Sequence, residues 1–154
     1  MDLSTNDARL ALARKWAPKY GLDPYLVCAV IEQESGWNPW AVRFEPGFLA
    51  RYVKPINPLL PTTQEITRAC SFGLMQVMGE VALECGWVLK FFTELCDPDT
   101  GVDYGCRKLQ KCFMEHVTAE PSLQAYNGGG NPNYGAQVLA RMAKYEPQVE
   151  GVSE

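Results

Sequence analysis

An apolar run in this chain ends in two carboxylates: Val27-Cys28-Ala29-Val30-Ile31-Glu32-Gln33-Glu34, followed by Ser35-Gly36-Trp37-Asn38-Pro39. A buried helix rarely carries acids unless they are paired, hydrogen-bonded or reactive. Residues two apart on a helix diverge by roughly 200°, so Glu32 and Glu34 face different ways. Glu34 follows Val30 and Ile31 by one turn and Val27 by two, at the end of the apolar stripe where the helix opens into a loop. A carboxyl placed there loses hydration, so its pKa rises and it holds a proton for delivery as a general acid. The same stretch also fits a solvated acid at a fraying helix end. Glu32, on the other face, fits a structural partner for an arginine or a helix cap.

Other reactive side chains point less clearly to a site. Cys28, Cys70, Cys85, Cys96, Cys106 and Cys112 permit three disulfides. Several of them lie in apolar helical runs, where cysteine serves as a small hydrophobe, and a chain of 154 residues folds without staples. Mostly free thiols are expected. There is no Cys-x-x-Cys pair, and the sole histidine, His116, one turn after Cys112, gives only two ligands. No metal and no cofactor are expected. A net charge of −4 with no Lys/Arg run argues against nucleic acid as a partner. No apolar run is long enough for a transmembrane helix.

The elements that must position Glu34 read as helices. Asn6 or Asp7 caps an amphipathic helix over 6–20, and Asp23-Pro24 opens the key helix over 24–35. Residues 37–61 hold Pro39, Pro46, Pro55, Pro58 and Pro61, which exclude a continuous helix, although Phe48 to Tyr52 has room for one turn. The stretch is rich in aromatics, which favours a functional loop or one folded over its own small core rather than disorder. Short helices are predicted over 62–70, 79–85 and 88–95. A longer one over 100–117 is capped by Asp99 or Thr100, and a last one spans 133–145. The result is a mainly α single domain over 1–154, with its core in 8–145, little or no β-sheet and a frayed tail over 147–154.

Three separated stretches set polar groups beside glycine in apolar surroundings: Glu34-Ser35-Gly36, Gly73-Leu74-Met75-Gln76 and Ala125-Tyr126-Asn127-Gly128. Their order and spacing, with Leu95-x-Asp97-Pro98 and Gly105 between the last two, resemble the catalytic domain of soluble lytic transglycosylases, relatives of goose-type lysozymes. The resemblance covers roughly residues 8–145. It implies a lysozyme-like helical fold with a cleft for the peptidoglycan glycan strand, and cleavage of the β-1,4 bond between N-acetylmuramic acid and N-acetylglucosamine. On that pattern Glu34 is the catalytic acid and Tyr126 carries a hydroxyl that lies against it. Substrate contacts are expected from Glu45, Ser71, Phe72, Gly73, Met75, Gln76, Tyr126 and Asn127. A monomer is expected.

Glu45, in Arg43-Phe44-Glu45-Pro46-Gly47-Phe48, is the candidate second acid. It fits an ion pair with Arg43 or Arg51, a substrate contact, or the base of a hydrolytic muramidase. A glycan-binding or virion structural module without turnover is the reading from another class. The chain departs from the common family pattern in carrying Arg43 near a usual serine position, and in the long insert of residues 44–70 before Ser71, which offers a replacement hydroxyl. The N-terminus has neither a basic region nor an apolar one, so no signal peptide is expected. The implied routes to the cell wall are a phage endolysin released through a holin, a virion-borne lysin, or a bacterial enzyme trimmed of its leader. The acidic balance implies binding through cleft contacts rather than long-range attraction.

Overall fold

A computed structural model describes residues 1–88 and 91–147. The chain runs through α1 (Asn6–Trp16), a 3-10 turn (Ala17–Tyr20), α2 (Pro24–Ser35), β1 (Val42–Phe44) and α3 (Pro46–Phe48), which runs on as a π-helical stretch, Leu49–Val53. Then come α4 (Thr62–Arg68), β2 (Cys70–Phe72), β3 (Val77–Met78), α5 (Gly79–Glu84), a 3-10 helix (Phe92–Cys96), α6 (Pro98–Glu115), α7 (Ala119–Tyr126) and α8 (Tyr134–Met142). The fold is mainly α, as predicted.

The caps explain the helix bounds. Thr5, not Asn6 or Asp7, caps α1, its hydroxyl accepting the Ala8 amide at 3.2 Å. Pro18 turns the end of that predicted helix into the tighter 3-10 coil. Asp23 caps α2 by accepting the Tyr25 amide at 2.7 Å, with Pro24 in the first turn. α6 starts earlier than predicted because Asp97 accepts the Thr100 amide at 2.9 Å, so neither Asp99 nor Thr100 is its cap. Of the helix predicted over 88–95, residues 89 and 90 lie outside the described residues, Val88 and Phe91 are not helical, and the rest falls in the 3-10 helix. The predicted frayed tail lies outside them from residue 148 onward.

The stretch 37–61, read as irregular, holds β1 and the helical segment over 46–53. β1, β2 and β3 form a small antiparallel sheet in that order, with Arg43 opposite Ser71 and Ser71 opposite Met78. The helical segment over 46–53 follows β1 directly and is pinned by Val53, which is fully buried.

One core holds these elements together. α2 is buried continuously from Leu26 to Ile31 and packs against α1 and α8. Leu74, Met75, Leu95, Val102, Leu109, Leu123 and Val138 complete the centre, each contributing about 1.5–3 kcal/mol by leaving water. Backbones approach closely around residues 73–76. A Cβ at Gly73 or Gly101 would fall on the Leu95 carbonyl, and one at Gly105 on the Met75 side chain. All six cysteines are free thiols. Among the described residues no helix is long and apolar enough to cross a membrane.

Candidate active site

α2 ends where a cleft of about 770 Å³ begins. Gly36 adopts φ +58, and its amide returns to the Glu32 carbonyl. Ser35 uses its hydroxyl to stitch this end to the neighbouring segment, donating to the Leu74 carbonyl at 2.9 Å and to Ile31 at 3.2 Å. Glu34 is thereby held partly buried in the cleft wall. The Tyr134 hydroxyl donates to Glu34 Oε1 at 2.5 Å. Burial pushes the Glu34 carboxyl above its ordinary pKa; the Tyr134 hydrogen bond and the charges of Lys108 and Arg43 oppose that push without cancelling it.

Glu32 has the opposite fate. It turns away to the Lys144 ammonium and accepts the Tyr145 hydroxyl at 2.6 Å, while Tyr145 accepts from Trp37 Nε1 at 2.8 Å. Burial disfavours its charge, but these partners outweigh burial and hold its pKa below the ordinary value. Its partner is a lysine, not the arginine anticipated.

The predicted substrate contacts divide into two groups. Glu45, Ser71, Gln76, Tyr126 and Asn127 line the cleft. Phe72, Gly73 and Met75 do not line it: Phe72 faces Phe92 at 6.4 Å between ring centroids, Gly73 backs onto Leu95, and Met75 onto Gly105. Alternation separates Ser71 from Phe72, since in a strand Ser71 points to the opposite side from its neighbours Cys70 and Phe72.

Several of the lining side chains are already engaged within the protein. Gln76, at φ +46, donates to the Ala41 carbonyl at 3.0 Å and to Gly73 at 2.9 Å, and accepts the Ser71 hydroxyl at 2.8 Å. These bonds hold a backbone conformation that side chains other than glycine rarely adopt. Asn127 braces the glycine turn that follows it: its amide oxygen accepts from Gly130 at 3.2 Å and Asn131 at 2.8 Å. Glu45 is ion-paired with Arg43. Tyr126 donates to the Met75 carbonyl at 2.7 Å, not to Glu34. It closes α7 beneath residues 74–76, whereas Tyr134, in the first turn of α8, reaches the carboxyl.

Tyr134 and Lys108 act on the Glu34 carboxyl, and the sequence motifs point to neither. Lys108 lines the cleft with its ammonium 3.9 Å from the Tyr126 ring centroid, a cation–π distance. Burial lowers its pKa, and the Glu34 charge partly restores it. One signal was available: Lys108 lies three residues after Gly105 and four before Cys112, a cation on the buried stripe of its helix.

Residues 11–147 match the family described as the Transglycosylase SLT domain, and the chain belongs to that family. The membrane-bound lytic murein transglycosylase C of Sodalis glossinidius (strain morsitans) is 26% identical over 134 residues, covering 78% of this chain and 31% of that protein. The protein of the same name from Photorhabdus laumondii subsp. laumondii is 26% identical over 157 residues, covering 87% and 37%. That of Actinobacillus pleuropneumoniae serotype 5b (strain L20) is 26% identical over 146 residues, covering 89% and 33%. This chain thus spans about a third of the length of these relatives. No solved structure matches the chain.

Proposed function

We propose that this chain cleaves the glycan strand of peptidoglycan between N-acetylmuramic acid and N-acetylglucosamine by intramolecular transglycosylation, with Glu34 as acid and then base. The observation that carries this is Glu34 itself: a partly buried carboxyl in the cleft, under the Tyr134 hydroxyl, while the other cleft carboxylate, Glu45, is ion-paired with Arg43. Protonated Glu34 gives its proton to the glycosidic oxygen as the bond to the muramyl anomeric carbon breaks. The muramyl 6-hydroxyl then bonds to that carbon and returns its proton to the Glu34 carboxylate. A 1,6-anhydromuramyl end forms, no water is consumed and Glu34 is ready again. A single carboxylate serves both steps. A single copy of the chain supplies every group named, in keeping with action as a monomer.

Mass analysis of muropeptides released from purified peptidoglycan tests the reading. Anhydro ends support it, reducing ends assign a hydrolase in which Glu45 is the first candidate base, and no release leaves a glycan-binding module.

The pH profile tests the role of Glu34 separately. The Tyr134 hydroxyl and the Lys108 ammonium both favour the Glu34 carboxylate, so Tyr134→Phe or Lys108→Met makes Glu34 keep its proton to higher pH. In both variants the alkaline limb of kcat/KM is expected to move upward, with Lys108→Arg staying close to the parent. A limb that stays in place in Tyr134→Phe and Lys108→Met assigns the titration to another group.

A further inference from the structure

Three cations line the cleft, Arg43, Arg51 and Lys108, against two carboxylates, Glu34 and Glu45. The chain as a whole is acidic, with a net charge of −4, so this local excess runs against its overall balance. The partners differ. Arg43 is held by Glu45, and Lys108 lies over Tyr126 beside Glu34. Among the described residues Arg51 has no carboxylate within the 4.0 Å reach of an ion pair.

The segment that carries Arg51 is built as a wall. Gly47, Phe48, Arg51 and Tyr52 all face the cleft, at the spacing of one helix face. The Phe48 and Tyr52 rings pack at 4.9 Å, and the Arg51 guanidinium lies 5.9 Å from the Tyr52 ring centroid. Aromatic faces suit the apolar faces of sugar rings, which are uncharged, as are their acetamido groups. An exposed guanidinium beside them suits a carboxylate, which it binds through two parallel N–H donors.

We infer that Arg51 forms an anion subsite for a carboxylate carried on the lactyl arm of the muramyl unit, as a free acid or at the end of an attached peptide. The subsite rests on the glycan-strand reading above and adds to it a selection for muramyl-bearing strands over neutral β-1,4-linked N-acetylglucosamine polymers. The insert of residues 44–70 supplies it.

Binding in the Glu34→Gln background, where the strand is not consumed, tests the inference by titration calorimetry with three probes. These are peptide-bearing strands, strands freed of peptide and therefore carrying the lactyl acid, and neutral N-acetylglucosamine oligomers. Adding Arg51→Gln is expected to weaken binding by about five-fold or more for the carboxylate-bearing strand that Arg51 reads, and to leave the neutral oligomer unchanged. Arg51→Lys recovers part of the loss, because it keeps the charge without the fork. Loss on peptide-bearing strands alone identifies the peptide carboxylate as the source, loss on strands freed of peptide alone identifies the lactyl acid, and loss on both means that the subsite takes either carboxylate. Equal loss on the neutral oligomer, or no loss on either strand, overturns the subsite. Failure of the strand-cleavage reading registers separately, as absence of anhydro ends with the parent protein.

Discussion

Glu34→Gln is expected to cut strand cleavage by roughly 10²–10⁴-fold, the range a positioned general acid supplies, and to make the protein more stable at neutral pH. The second effect follows from burial. The folded protein holds the Glu34 proton more tightly than the unfolded chain, whose pKa lies near 4.5. The stability tied to that proton is fully present below about pH 4.5 and is lost as pH rises through the folded pKa. Glutamine carries no charge to desolvate, so the variant is spared the loss, and its side-chain oxygen still accepts from Tyr134. Melting curves at pH 7 and pH 4, with turnover measured on purified peptidoglycan, check both parts. A higher Tm at pH 7, a gap that closes toward pH 4 and collapsed turnover are the expected set. Near-normal turnover would falsify the assignment of the acid, and a lower Tm at pH 7 the burial argument. A solvated acid at a fraying end predicts neither change.

The second large effect is structural. Gly73 sits at φ +71, and a Cβ there would land on the Leu95 carbonyl. Gly73→Ala is therefore expected to cost about 3 kcal/mol or more, from the strained dihedral and the overlap together. In a chain of this size that lowers Tm by roughly 6–12 °C. Gly36 is the control. Its φ of +58 is similar, but nothing lies within 4 Å of a Cβ built there, so Gly36→Ala carries only the dihedral cost, about 1–2 kcal/mol. Thermal melts of the two variants separate the steric part from the conformational part. Equal losses would mean that the overlap at Gly73 relaxes freely.

The sequence made Glu34 legible because its signal is local: an apolar stripe, an acid at its end, a Ser-Gly break. α2 was readable for the same reason, with Asp23-Pro24 at one end and Gly36 at the other. The partners of Glu34 were harder because packing brings them from far along the chain, Tyr134 from the start of α8 and Lys108 from the middle of α6. Of the two tyrosines, the motif pointed to Tyr126, yet the hydrogen bond to Glu34 comes from Tyr134 and Tyr126 is spent on the Met75 carbonyl. Gly73 and Met75 stand within the motif and Phe72 just before it, but alternation and tight turns send them to the core rather than the cleft. Little sheet was expected and little is present; its strands could not be located because they are two or three residues long, too short for any period to register.

The free thiols carry a chemical consequence of their own. Burial pushes Cys28 and Cys106 up to about 12 and moves Cys70, Cys85, Cys96 and Cys112 in the same direction. Oxidants and electrophiles react with the thiolate, so near neutrality these sulfurs are slow targets. The described fold is complete without a disulfide, so it offers a reductant no cross-link to undo.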